Sequence, residues 1–269
     1  MKNEKKGDNP LFFVILQLIG NSLRLTGKKT TKRTVMKMKK VLLVMLAPML
    51  LMSCKVSHFH TEQAIAEEQR ALRGFERIEL LGSLDVEYTQ ADSFSVVVLA
   101  PDKIIENVET RVEGNKLVVN MKGENKLINL GSADGGDVRV RVTSPDFLGI
   151  ELRGSGDFEC KNLLDTDNLD IVLKGSGDID FYDIICDRVN VSLVGSGDVD
   201  VKNVQTQQSL VELVGSGDIK MRFTNSGSVT SQLTGSGDIT LKGNVRNYNY
   251  NVRGSGDMHT KELIVKSDK

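Results

Sequence analysis

The tetrapeptide Gly-Ser-Gly-Asp occurs six times, starting at Gly154, Gly175, Gly195, Gly215, Gly235 and Gly254, at intervals of 21, 20, 20, 20 and 19 residues. A fixed period of this length marks a chain made of stacked copies of one unit, each hiding its apolar face against its neighbours. The repeated positions are Gly154, Gly156 and Asp157; Gly175, Gly177 and Asp178; Gly195, Gly197 and Asp198; Gly215, Gly217 and Asp218; Gly235, Gly237 and Asp238; Gly254, Gly256 and Asp257. We read them as structural turns.

The residues between the turns alternate. Each Asp is followed by an apolar–polar–apolar triplet, as in Ile179/Phe181 and Val199/Val201, weakening to Met258/Thr260 in the last copy. A third apolar position is assigned to Leu163, Ile184, Val204 and Leu263. Before each glycine runs another alternating stretch, such as Val189/Val191/Leu193. Period two means strands with one face inward. Hairpins also alternate, but a sandwich has no reason to repeat one turn six times. Stacked coils do, because every turn lies on its predecessor under the same constraints. Glycine suits such a corner by tolerating positive φ and close backbone approach. The expected fold is all-β: a single-stranded right-handed parallel β-helix, or solenoid, of ~20-residue coils. At about 4.8 Å per coil, six coils make a rod roughly 29 Å long.

Residues 154–265 form this repeat region. Residues 71–153 are less regular but still alternate, at Ile78–Leu80, Leu84–Tyr88, Phe94–Leu99, Val108–Val112, Lys116–Asn120 and Val138–Val142. Gly82-Ser83-Leu84-Asp85 looks like a decayed copy of the turn, Gly114-Asn115 is a tight-turn signal, and 125–137 reads as a loop. This half is expected to cap the first coil and hide its open edge.

Upstream, the chain reads as an export signal. Lys37, Lys39 and Lys40 precede an apolar run from Val41 to Leu51, which is too short to span a bilayer comfortably. It ends in Leu51-Met52-Ser53-Cys54, the pattern of a lipoprotein cleavage site with Cys54 acylated. Residues 36–53 are then the signal peptide, 54–70 a polar tether, and 1–35 an extension upstream of the true start. The expected location is the cell envelope, in the outer membrane, with the membrane contacted through the lipid on Cys54. Cys160 and Cys186 fall at different points of their coils and are expected to be free thiols. Residues 1–40 hold 11 basic residues against two acids, whereas the chain from Cys54 holds 24 basic against 34 acidic. A body that acidic repels a phosphate backbone, which argues against nucleic-acid binding.

The opening Arg73-Gly74-Phe75-Glu76-Arg77-Ile78, the segment Leu84-Asp85-Val86-Glu87-Tyr88-Thr89-Gln90 and the Gly-Ser-Gly-Asp series together resemble the "putative auto-transporter adhesin, head GIN domain" family, over about residues 74–262. The resemblance implies a β-helix, an envelope location and, in many members, a lipoprotein signal. It implies no catalytic residues, and the weak sixth copy departs from the pattern.

Many β-helices cleave polysaccharides, yet the coils here leave no insertions to wall a cleft. Histidine is confined to His58 and His60 in the tether and His259 in the last coil. The acid pairs Asp178/Asp180 and Asp198/Asp200 read as a turn residue beside a solvent-facing one, not as an acid/base couple. The turn aspartates would stack about 5 Å apart and repel by roughly 3 kcal/mol per neighbouring pair at an effective dielectric of 20. Either N–H groups of the Gly-Ser-Gly turn hold them, the favoured account, or Ca²⁺ bridges them. Four residues after each Asp lie Lys161, Tyr182, Lys202, Arg222, Lys242 and Lys261, a stripe on the outer face. It reads either as solubilising edge charge or as a groove for acidic glycans or lipid headgroups. The expected function is non-catalytic: an envelope adhesin, or a binding or structural module for a glycan or protein ligand, with no cofactor or metal. The alternatives are a periplasm-facing accessory or sensory lipoprotein and, distantly, a polysaccharide-active enzyme.

Overall fold

In the repeat region nearly every coil is one continuous strand bent around its corners: β9 (Asp157–Gly175), β10 (Asp178–Gly195), β11 (Asp198–Gly215), β12 (Asp218–Gly235) and β13 (Asp238–Gly254). The structure is a computed structural model, and it describes residues 65–122 and 138–266. The signal segment, Cys54, His58, His60, the tether up to residue 64 and the 125–137 loop lie outside the described residues.

Neighbouring coils pair in parallel with turn on turn: Asp178 opposes Asp198, and Gly195 opposes Gly215. The result is an all-β solenoid of about six turns, as the repeat requires. In β10 the inward residues Ile179, Phe181, Ile184, Cys186, Val189, Val191 and Leu193 are all buried. Two consecutive exposed residues, Tyr182-Asp183 and again Asp187-Arg188, break the alternation and mark two corners. The Gly-Ser-Gly turn is the third, so each coil has three sides. Equivalent residues stack in columns along the core, with the Phe158 and Phe181 rings 5.3 Å apart.

Both turn glycines are required, for different reasons. Gly195 has φ +145°, which L side chains avoid, and a Cβ there would lie 2.0 Å from the Gly175 carbonyl oxygen. Gly197 has no unusual φ, but its Cβ would meet the Gly177 oxygen at 2.0 Å. Backbone stacks directly on backbone here, and the Ser196 N–H donates to the Gly175 carbonyl at 2.9 Å.

The first long coil corrects one assignment. Leu163, taken as its third inward position, is 51% exposed, while Leu164 is fully buried. Leu164 is the residue opposite Ile184, because the 21-residue interval places its extra residue just upstream, where the pairing with β10 shifts register.

The N-terminal half continues the same columns. Its strands are β1 (Ile65–Arg70), β2 (Arg77–Gly82), β3 (Asp85–Gln90), β4 (Ser95–Pro101), β5 (Val108–Glu113), β6 (Lys116–Met121), β7 (Arg139–Ser144) and β8 (Gly149–Gly154). Strands β2 and β3 flank the degenerate turn at Gly82. They stack in parallel on β8 and on the start of β9, with Gly82 opposite Gly154. Beyond them lie β6, parallel to β2, and β7, parallel to β3. The ladder then turns antiparallel: β5 closes on β6 through Gly114-Asn115, while β4 and then β1 add to β7. Residues 65–70, assigned to the tether, are therefore the edge strand β1. Its alternation is too polar to register in the sequence, and main-chain pairing to β4 is what orders it.

At the other end the ladder thins. Beyond β13, among the described residues, lie β14 (Met258–His259) and β15 (Leu263–Val265), pairing with two and three of its residues.

Candidate functional site

The turn aspartates form a hydrogen-bonded ladder down one corner of the rod. The backbone N–H of each donates to Oδ1 of the aspartate one coil earlier: Asp157 to Asp85 at 3.1 Å, Asp178 to Asp157 at 3.2 Å, Asp198 to Asp178 at 3.2 Å. Asp218, Asp238 and Asp257 continue the series at 3.1, 3.2 and 2.9 Å. The donors are thus the aspartates' own amides in the next coil, not the Gly-Ser-Gly amides the sequence suggested. Nor are these carboxylates uniformly acidic. Burial pushes Asp178 above the usual range, against the N–H of Asp198, and Asp157 and Asp198 on either side add repulsion. Asp238 is lowered by the Asp257 N–H and by His259.

Beside this corner the outer face carries a groove of about 320 Å³ across three coils. One wall is Asp200, Lys220 and Thr240; the other is Lys202, Arg222 and Lys242. The walls are outward residues two positions apart on β11, β12 and β13, so strand alternation and coil register alone build it. Three of its cations have carboxylate partners: Lys202 with Asp200, Lys220 with Asp218 at 3.8 Å, and Lys242 with Glu262 at 2.8 Å. Arg222 has no ion pair among the described residues, only a longer-range attraction to Glu262. The hydrogen bond from Lys202 to Asp200 raises the lysine's pKa, which keeps it charged at neutral pH. The stripe of Lys202, Arg222 and Lys242 is therefore real. Lys220 escaped it, lying two residues after its aspartate rather than four. Lys161 is outside the groove, paired with Glu159 at 2.8 Å.

A family model described as "putative auto-transporter adhesin, head GIN domain" matches residues 74–204 and 193–268. The chain belongs to this family. No curated protein matches the sequence. Among solved structures, this head GIN domain is similar to a "putative adhesin" from Bacteroides fragilis, with 24% identity and a TM-score of 0.61 over 73% of this chain and 97% of the other. It is also similar to a "putative lipid binding protein" from Parabacteroides distasonis, with 19% identity and a TM-score of 0.57 over 72% of this chain and 96% of the other. Identities this low establish a shared fold.

Elsewhere in the domain, Cys160 and Cys186 are free and buried on different inner columns. Burial pushes the Cys160 thiol to about 12 and raises Cys186 as well. Both are poor nucleophiles in this state. Asp178 and Asp180 sit on neighbouring outer columns, and burial raises Asp180 while Lys202 opposes the shift. His259 lies against Asp238 in the last coil, 3.3 Å away.

Proposed function

We propose that this chain is a non-catalytic binding module of the cell envelope, held to a membrane by a lipid on Cys54, which uses the groove around Arg222 to engage anionic groups on its ligand. The observation that carries this reading is the groove's charge. On a body with ten more acids than bases beyond Cys54, four cations converge across three adjacent coils, and one of them, Arg222, has no ion pair among the described residues. A guanidinium in that position offers a planar fork to a phosphate, sulfate or carboxylate. Family membership supports an adhesin role, and the Parabacteroides structure of this fold carries the description of a lipid-binding protein, which favours headgroup phosphates.

Co-sedimentation with vesicles rich in phosphatidylglycerol, with sulfated glycan as competitor, tests it. Binding is expected to weaken with added salt and to fall at least tenfold in Arg222→Ala/Lys242→Ala, while Lys161→Ala behaves as wild type. Equal binding by all three proteins removes the groove from the function. Anchoring has its own test: a fatty-acid analogue fed to cells should label the wild type and not Cys54→Ala. Surface proteolysis separates the adhesin from a periplasm-facing accessory lipoprotein, since only a surface protein is cut in intact cells.

A further inference from the structure

We propose that Asp238, Asp257 and His259 form a Zn²⁺ site that clasps the last coil onto the rod. Within the ladder each Oδ1 is occupied by the amide of the coil that follows. Asp257 is the last rung, and its carboxylate has no such donor among the described residues. The imidazole of His259 turns back toward Asp238, leaving one ligand atom from each of Asp238, Asp257 and His259 within 4.8 Å of one another.

The spacing suits a metal. At a tetrahedral centre with bonds of about 2.0–2.2 Å, neighbouring ligand atoms stand about 3.3–3.6 Å apart. His259 Nε2 and Asp238 Oδ2 are 3.3 Å apart. Asp257 is exposed and already holds a carboxylate oxygen within 4.8 Å of the other two ligand atoms. Asp238 is already oriented, because its other oxygen accepts the Asp257 N–H at 2.9 Å, the kind of outer contact that fixes a metal ligand. One imidazole and two carboxylates, with water in the fourth position, match zinc's preferences, whereas Ca²⁺ and Mg²⁺ favour oxygen donors. No other turn aspartate has this company. The residue two places after the aspartate is Glu159, Asp180, Asp200, Lys220 or Thr240 in the earlier coils and histidine only in the last.

The location says what the metal does. Strand pairing of the final coil on β13 comprises two residues of β14 and three of β15, against sixteen paired positions between β10 and β11. A bond network from Asp238 on β13 to Asp257 and His259 on the final coil reinforces this thin pairing.

The test is calorimetric titration of full-length, tag-free protein in detergent with Zn²⁺, alongside hydrogen exchange at residues 257–266. The expected result is one saturable site, with slowed exchange in that segment on loading. His259→Ala and Asp257→Asn should each weaken binding at least tenfold, with at most a slight drop in the melting temperature of the metal-free protein. Arg222→Ala, in the groove, should bind as wild type. Failure to saturate, or affinity retained in His259→Ala, overturns the proposal, and the second result would place the zinc elsewhere in the chain.

Discussion

The two halves of this rod reach one cross-section by opposite routes. From β9 to β13 one unit is restated, every contact between coils is parallel, and glycines meet glycines. From β1 to β7 the repeat survives only as the degenerate turn at Gly82. The columns persist through Gly82 and Asp85, and antiparallel strands close the end. The comparison separates what a solenoid needs in every coil from what it needs once. An inward column tolerates any apolar residue of fitting size, as Val86, Phe158, Ile179 and Val199 show in successive layers. A corner where backbones touch is far stricter: both of its positions are glycine in all six repeats, and only the degenerate turn beneath Gly156 carries another residue, Leu84, so the corner is where the repeat is written.

The largest effect follows from that contrast. Gly197→Val forces a side chain into the Gly177 carbonyl and should cost about 3 kcal/mol or more in chemical denaturation. Gly256→Val meets Gly237 in the same way but can lift the lightly held last coil, and should cost about 1 kcal/mol. Equal losses at both sites would mean that coil stacking is not what the glycines serve.

An intermediate effect belongs to the irregular half, where a buried tyrosine bridges two strands. The fully buried Tyr88 hydroxyl lies 3.0 Å from Ser144 Oγ, and its ring stacks on Phe147 at 4.1 Å. Tyr88→Phe should cost about 1–1.5 kcal/mol by removing that hydrogen bond. A smaller loss, about 1 kcal/mol, is expected for Gly114→Ala, since φ is +64° but nothing lies within 4 Å of the new Cβ. If Gly114→Ala proved as damaging as Gly197→Val, backbone conformation rather than crowding would explain both.

The smallest effects are electrostatic, and they oppose one another within one ladder. Asp178 has a raised pKa, so its contribution is present below the unfolded value of about 4 and is lost as pH rises. Asp238 has a lowered pKa, so its contribution is present above about 4 and is lost as pH falls. At pH 7 the melting temperature should hold or rise slightly in Asp178→Asn and fall slightly in Asp238→Asn, with both differences shrinking in acid. Shifts of the same sign would show that the ladder acts as a uniform charge column.

Much of this was legible in the residues. The repeat fixed the coil and turn on its own, and Gly82 and Gly114 marked two more bends. The third side of the coil was obscured because Thr166, Cys186, Thr206 and Ser226 fill one of its inner columns, so its alternation reads as polar. Thr206 is nonetheless buried, with Oγ1 3.0 Å from the carbonyls of Asp187 and Gln208. The slip at Leu163 came from carrying the six-residue offset of Ile184 and Val204 from their aspartates into the one 21-residue interval, where the extra residue moves the inward position to Leu164. The groove was half visible: a column of cations four residues past each aspartate can be counted, but Lys220 joins it only across a strand. His259 and Asp238 are 21 residues apart, and only coil stacking brings them together.

The parallel pairing also has a mechanical consequence. Hydrogen bonds between coils run along the stacking direction, so tension between the two ends of the rod opens ladders in sequence instead of shearing them all at once. The C-terminal rung is the five-residue attachment of β14 and β15; behind it stand coils joined at thirteen to sixteen positions. Under load the domain should give first at its C-terminal tip, then yield one coil at a time, each releasing about 20 residues of chain, behaving more like a ratcheted tape than a rigid peg.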